Sequence, residues 1–200
     1  MTIAVNHHAG QGGFGGPLGL AFGVLMRVAG RRRDRMVVDL AGVGPDDHVV
    51  DVGCGSGGAA GLAARRAADV VGVDPAPLML RLARLFVRNP SVRWVPGTAE
   101  DLPLPDASAT VVWAVATVHH WPEVAGGLAE IRRVLVTGGR LLTVERDVPA
   151  GSEGPTRHGW TREQAESYAE LCRAAGFVDV RVEHAGAGRW TSWAVHAGRP

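Results

Sequence analysis

Short apolar runs alternate with segments of helical periodicity along most of the chain. Residues 48–52, 70–73, 92–95, 110–117 and 140–145 read as strands, and the fourth of these is apolar throughout. Between them, residues 59–68, 77–88 and 123–136 read as helices. In the second helix Leu78, Leu82 and Leu85 fall on one side and Arg81, Arg84 and Arg88 on the other; in the third, Val124, Leu128, Ile131 and Leu135 share a face. Gly138 and Gly139 end that third helix. Thr161 and Gln164 form a T-x-x-Q capping box that opens a last helix, which Gly176 closes. Val178, Val180 and Val182 then alternate with Asp179, Arg181 and Glu183, the pattern of a half-exposed edge strand, and residues 190–196 supply a seventh strand. Continuously apolar strands separated by helices predict an α/β fold, a mostly parallel sheet with helices on both faces.

The chain before residue 45 reads differently. Residues 1–16 are Gly-rich and predict a flexible arm carrying His7 and His8, which could fold over a site on their glycine hinge or bind a metal. Residues 17–44 show interrupted helical patterning and read as a helical cap, and residues 45–200 as the main domain. The apolar stretch 18–26 is too short to span a membrane, and Arg31, Arg32, Arg33 and Arg35 follow it rather than precede it, so no targeting segment is predicted. The Arg cluster itself reads as a solvated helix face.

Composition narrows the chemistry. The 200 residues suit one domain, and the formal net charge of +1 carries no nucleic-acid footprint. All 21 basic residues are Arg. Without lysine, Schiff-base chemistry and a P-loop kinase mechanism are excluded. Cys54 and Cys172 cannot form a zinc site by themselves and read as reduced thiols of a cytoplasmic protein; no metal ligand set is predicted.

The informative glycines lie after the first strand, in Asp51-Val52-Gly53-Cys54-Gly55-Ser56-Gly57-Gly58. Gly53, Gly55 and Gly58 satisfy G-x-G-x-x-G, and Asp74 ends the second strand, as in a dinucleotide site. Asp51 argues against a dinucleotide. Its carboxylate would face the same crevice and repel a pyrophosphate, whereas it suits a ligand bearing an ammonium and a sulfonium.

Residues 49–57 with Val73-Asp74-Pro75 resemble the class I, Rossmann-like S-adenosylmethionine-dependent methyltransferases, most closely their type 11, ubiquinone-methylase-like branch. Further stretches agree in order: Pro75-Ala76-Pro77-Leu78-Met79, Gly97-Thr98-Ala99-Glu100-Asp101, Val118-His119-His120-Trp121-Pro122 and Arg133-Val134-Leu135 through Gly138-Gly139. The resemblance implies a seven-stranded sheet of order 3-2-1-4-5-7-6, S-adenosylmethionine as cofactor and S-adenosylhomocysteine as product. It puts Asp51 near the ligand ammonium, with backbone of Gly53, Cys54, Gly55 and Gly57 approaching the methionine part. Cys54 reads as a small residue against the cofactor rather than a reactive one. Asp74 would accept from ribose hydroxyls, with Pro75 following it and Met79 beside the adenine. The Ala99 amide, with Thr98 or Glu100, would read the adenine edge, and Ala114 and Val115 would flank the sulfur. Thr98 stands where many relatives carry Asp, and Thr110 replaces a common acid at the start of strand four.

Beyond strand four, His119 is the candidate general base, beside the expected methyl. A backbone-bonded histidine shaping the turn is the alternative. His120 is expected to point the other way and Trp121 to form a packing wall. His158 and Trp160 fall on a rim segment. A small-molecule methyl acceptor is expected, since the insert before the last helix is short; nucleic acid and a membrane span are not. A non-catalytic S-adenosylmethionine-binding module and an NAD(P)-dependent oxidoreductase remain the alternatives.

Overall fold

The strand runs assemble into a single seven-stranded sheet in a computed structural model, which describes residues 30–152, 158–187 and 190–200. The predicted arm with His7 and His8, and residues 17–29 of the predicted cap, lie outside the described residues. The elements run α1 (Arg31–Leu40), β1 (His48–Val52), α2 (Gly58–Ala63), β2 (Asp69–Asp74), α3 (Pro77–Phe86), β3 (Val92–Pro96), β4 (Ala109–Val115), α4 (Val124–Val134), β5 (Leu135–Arg146), α5 (Arg162–Ala174), β6 (Val178–Ala187) and β7 (Trp190–Gly198). The strand order is β3-β2-β1-β4-β5-β7-β6. The first five strands are parallel, and β7 runs antiparallel to both β5 and β6.

Both faces of the central strands are covered, which is why their sequences lack alternation. On one face Val50, Val52, Val71, Val73, Val112 and Ala114 pack with Leu128 and Ile131 of α4 and Tyr168 and Cys172 of α5. On the other, Val49, Val70, Val111 and Trp113 meet Val37 and Val38 of α1 and Ala59, Ala60 and Ala63 of α2. The edge position predicted for residues 178–183 is observed: β6 ends the sheet, and Val178 is exposed. The Thr161 capping box forms as written, with the Gln164 N–H donating to Thr161 Oγ1 and the Thr161 N–H to Gln164 Oε1.

Two local readings are corrected. In α3 the buried stripe is Met79, Leu80, Leu82 and Ala83, while Leu85 is 57% exposed: at 100° per residue it falls outside that stripe. The chain also leaves α4 two residues early. Leu135 is extended because it pairs with Ala109, so β5 begins there and Gly138, at φ +75°, turns inside the strand.

Thr110 takes the place of the acid by a different bond set. Its hydroxyl donates to Asp47 Oδ1 at 2.6 Å and accepts the His48 N–H at 3.0 Å, while Arg140 pairs with the other Asp47 oxygen. The same Arg140 reaches the Ala41 and Gly42 carbonyls, tying the end of α1 to the start of β1 and β5.

Candidate active site

Parallel strands leave their carboxyl ends at one edge of the sheet, and the predicted site residues of β1, β2 and β4 converge there. After β1 the chain turns sharply into α2. The Gly53 and Cys54 amides both donate to the Val73 carbonyl, and the Gly55 amide donates to Asp74 Oδ2 at 2.9 Å, so β2 braces the loop. Gly53 lies at φ +73°, and a β-carbon there would sit 2.2 Å from Thr117 Oγ1. Gly57 lies at φ +78°, with the Trp94 ring 2.4 Å from its β-carbon position. At Gly55, by contrast, a β-carbon would meet nothing within 4 Å. The loop is packed shut beneath Gly53 and Gly57 and open at Gly55, the side on which a ligand would approach.

Two buried acids flank this loop. Asp74 is pushed above the ordinary carboxylate range by burial, against the pull of the Ala76 and Gly55 amides that it accepts. Asp51 is raised further, to about 7. Burial dominates there, and the charges of Asp34 and Asp74 add to it; the Trp113 indole and Ala60 amide pull the other way. The indole N–H faces the carboxyl without completing a hydrogen bond. Such a carboxyl is primed to ionise when a cation arrives. Cys54, between the two acids, is a free buried thiol, and burial with both neighbouring charges raises its pKa.

Asp34 was not legible as a site residue. It sits in the Arg cluster, of which Arg31, Arg32 and Arg35 are exposed as expected, but Asp34 itself is buried and Arg33 pairs with it at 3.1 Å. A β-carbon on Gly58 would stand 2.0 Å from Asp34 Oδ2, so only glycine admits α1 this close to the loop.

Past β4 the backbone is strained. Ala116 lies at φ +52°, a left-handed conformation that costs a non-glycine residue about 1–2 kcal/mol. The turn carries Thr117 against Gly53 and starts the 3-10 turn Val118–His120. His119 is buried, and its Nδ1–H donates to Glu145 Oε2 at 2.9 Å; the other Glu145 oxygen accepts the Val118 N–H at 2.9 Å. Burial lowers the His119 pKa, but the charge and hydrogen bond of Glu145 outweigh it and the net shift is upward. Glu145 was missed from sequence. The available signal was an acid at the carboxyl end of the otherwise apolar strand Leu141-Leu142-Thr143-Val144-Glu145.

His120 does not point away. Its ring centroid lies 4.0 Å from that of His119, and the His158 ring joins at 5.4 Å from His119. Trp160, in contrast, is fully buried against Tyr168 and belongs to the core rather than the rim. Trp121 is the packing wall expected, buried over Gly127 in the same cluster as Ala99.

The remaining predicted residues border the same edge. Met79 and Ala99 are buried, Thr98 and Pro75 are exposed, and Glu100 Oε1 accepts the Glu123 N–H. Ala114 is buried and Val115 half-buried at the end of β4.

This sheet, with its antiparallel seventh strand and its acid, glycine loop and second acid at one edge, is the class I, Rossmann-like S-adenosylmethionine-dependent methyltransferase fold. Residues 50–143 match the family model described as a methyltransferase domain. Over these residues the chain is similar to the type 11 branch of methyltransferases, a class whose cofactor is S-adenosylmethionine and whose product is S-adenosylhomocysteine. The chain is similar to an uncharacterized methyltransferase of Mycobacterium tuberculosis, 40% identical over 121 residues, covering 60% of this chain and 45% of that protein. It is similar also to the ubiquinone/menaquinone biosynthesis C-methyltransferase UbiE of Rubrivivax gelatinosus, 35% identical over 131 residues, 66% of this chain and 50% of the relative. Among solved structures, a SAM dependent methyltransferase from Aquifex aeolicus aligns with a TM-score of 0.72 at 18% identity, over 90% of this chain and 98% of that one. The chain spans about half the length of the curated relatives it matches. No helix among the described residues is long and apolar enough to cross a membrane.

Proposed function

We propose that this chain transfers the methyl group of S-adenosylmethionine to a small-molecule acceptor. The observation that carries the reading is the convergence of Asp51, the loop 53–57 and Asp74 at one edge of the sheet, with His119 held by Glu145 beyond β4.

The acids select the donor. A pyrophosphate beside Asp51 would set like charges together in a poorly solvated site, whereas an ammonium or sulfonium stabilises the anion that burial makes costly. In this reading Asp51 and the backbone of Gly53, Cys54, Gly55 and Gly57 hold the methionine part. Asp74 spends one acceptor site of each oxygen on Ala76 and Gly55, which leaves capacity for ribose hydroxyls. Pro75 and Met79 border the adenosine, the Ala99 amide with Thr98 or Glu100 reads the adenine edge, and Ala114 and Val115 flank the sulfur.

When bound, S-adenosylmethionine supplies a methyl already activated on a sulfonium. The chain then contributes alignment and exclusion of water, on the order of 7–11 kcal/mol of the barrier. With Nδ1 committed to Glu145, Nε2 of His119 is the nitrogen left to take a proton from the acceptor. A small acceptor suits the short connection between β5 and α5. The near-neutral charge argues against nucleic acid, and two free thiols suit a cytoplasmic setting.

The test is calorimetric titration with S-adenosylhomocysteine and with NADH, followed by a labelled-methyl screen over small hydroxyl, thiol, amine and quinol acceptors. Stoichiometric S-adenosylhomocysteine binding with label transfer supports the reading. Binding of NADH in its place overturns it. Tight S-adenosylhomocysteine binding without transfer to any acceptor would replace the enzyme with a non-catalytic binding module.

A further inference from the structure

We propose that His119, His120 and His158 form a site for one divalent transition-metal ion of the zinc class, at the carboxyl ends of β4 and β5. The proposal goes beyond methyl transfer: an ion on His119 Nε2 would take the place of that nitrogen as proton acceptor, while cofactor binding at Asp51, the loop 53–57 and Asp74 does not depend on it.

Three imidazoles arrive from two separate segments. His119 and His120 stand on one 3-10 turn, pinned by the His120 N–H donating to the Thr117 carbonyl at 2.9 Å and the Trp121 N–H to the Val118 carbonyl at 3.0 Å. His158 comes from the connection between β5 and α5, and the two residues after it anchor its end of that segment. The Trp160 N–H donates to the Arg146 carbonyl at 2.8 Å, and the Trp160 carbonyl accepts the Val148 N–H at 3.0 Å. At Gly159 a β-carbon would lie 2.2 Å from the Arg146 carbonyl oxygen, so the chain passes flush against β5 and delivers His158 beside the other two rings.

One ring nitrogen from each histidine lies within 4.8 Å of the others. Around a tetrahedral zinc ion, nitrogens bound at about 2.0–2.1 Å stand about 3.3 Å apart. Changes of up to about 1.5 Å in these separations therefore bring the set to tetrahedral spacing. His119 also carries the backing that orients histidine ligands: its Nδ1 is held by the fully buried Glu145, which leaves Nε2 for an ion. Three imidazoles select zinc, cobalt, nickel or copper rather than calcium or magnesium, which take oxygen. Three protein ligands with a fourth position open is the composition of a catalytic zinc site.

The experiment is titration of the metal-stripped full chain with Zn²⁺ by calorimetry and with Co²⁺ in the visible region, alongside S-adenosylhomocysteine titrations of the same samples. One Zn²⁺ per chain is expected, with the absorption bands of tetrahedral Co²⁺. His158→Ala and His120→Ala should each weaken Zn²⁺ binding at least about tenfold, and Glu145→Gln about 10–100-fold. The double variant His7→Ala/His8→Ala should bind as the native chain does. No Zn²⁺ binding by the native chain, undiminished binding by His158→Ala, or loss of binding in the His7/His8 variant overturns the proposal. S-adenosylhomocysteine binding reports on the methyltransferase reading separately, so failure of one is distinguishable from failure of the other.

Discussion

His119 Nδ1 and Glu145 Oε2 lie 2.9 Å apart although 26 positions separate the residues in the chain. The pair is buried, and it joins the ends of two neighbouring parallel strands: β4 delivers the histidine one turn beyond its last residue, and β5 delivers the glutamate at its penultimate one. Glu145 satisfies two donors, the imidazole and the Val118 amide, so it sets both the ring's orientation and the shape of the turn that carries it.

Glu145→Gln should therefore disturb chemistry more than cofactor binding. One amide oxygen cannot replace two carboxylate oxygens, and the amide NH₂ opposes a donor. Methyl transfer to the best acceptor is expected to fall about 10²-fold or more, as for loss of a positioned proton acceptor. Unfolding in urea should show a loss of about 1–3 kcal/mol from the unsatisfied donor. Steady-state kinetics at saturating S-adenosylmethionine check this. Full turnover in His119→Ala would remove the base assignment and leave the cofactor site intact.

Asp51 is expected to make cofactor affinity depend on pH. In the folded chain its carboxyl is raised from 3.8 to about 7, so the folded state holds that proton more tightly than the unfolded chain does. Stability thus declines as pH rises between these values, and Asp51→Asn should flatten that decline. A cationic ligand group favours the anion. S-adenosylhomocysteine should then bind about tenfold more tightly at pH 8 than at pH 6, while Asp51→Asn binds more weakly and with a shallower profile. Isothermal calorimetry in buffers of different ionisation enthalpy measures the accompanying proton release. Identical pH profiles for the two chains would free Asp51 from contact with the ligand.

Gly53→Ala should be far more damaging than Gly138→Ala, although both glycines have φ near +74°. At Gly53 the new methyl meets Thr117 at 2.2 Å; at Gly138 it meets nothing within 4 Å. The first substitution adds overpacking of about 1–3 kcal/mol to the left-handed penalty of about 1–2 kcal/mol, and the second incurs the penalty alone. Chemical denaturation of the two variants, compared with the native chain, reads the difference.

Ala116→Gly runs in the opposite direction. The native residue is held at φ +52° at the end of β4, with its amide donating to the Val144 carbonyl. Glycine relieves the strain and gives some of it back as unfolded-chain entropy, for a net gain of about 0.5–1 kcal/mol in urea unfolding. A loss of stability would mean that the left-handed turn carries no strain.

Much of the architecture was legible because it depends on local pattern. Valine-rich runs without alternation imply coverage on both faces, and Asp51, the glycines and Asp74 lie together because strand ends in a parallel sheet share an edge. Where local pattern competed with a partner elsewhere, it failed. Helical periodicity carried α4 through Leu135, but pairing with Ala109 drew that residue into β5. Leu85 continues the run of leucines in α3, but the sheet covers the face of Met79, Leu80, Leu82 and Ala83 and leaves it exposed.

What the sequence by itself determined is the α/β class, the glycine turn and the acids at the ends of β1 and β2, all set by neighbours along the chain or by the parallel geometry those neighbours impose. Only the tertiary structure decided that Glu145 holds His119, that Asp34 reaches Gly58, and that His120 and His158 gather beside them. Those contacts join positions far apart in sequence. Their energy depends on distance and burial, quantities that come into existence when the sheet closes.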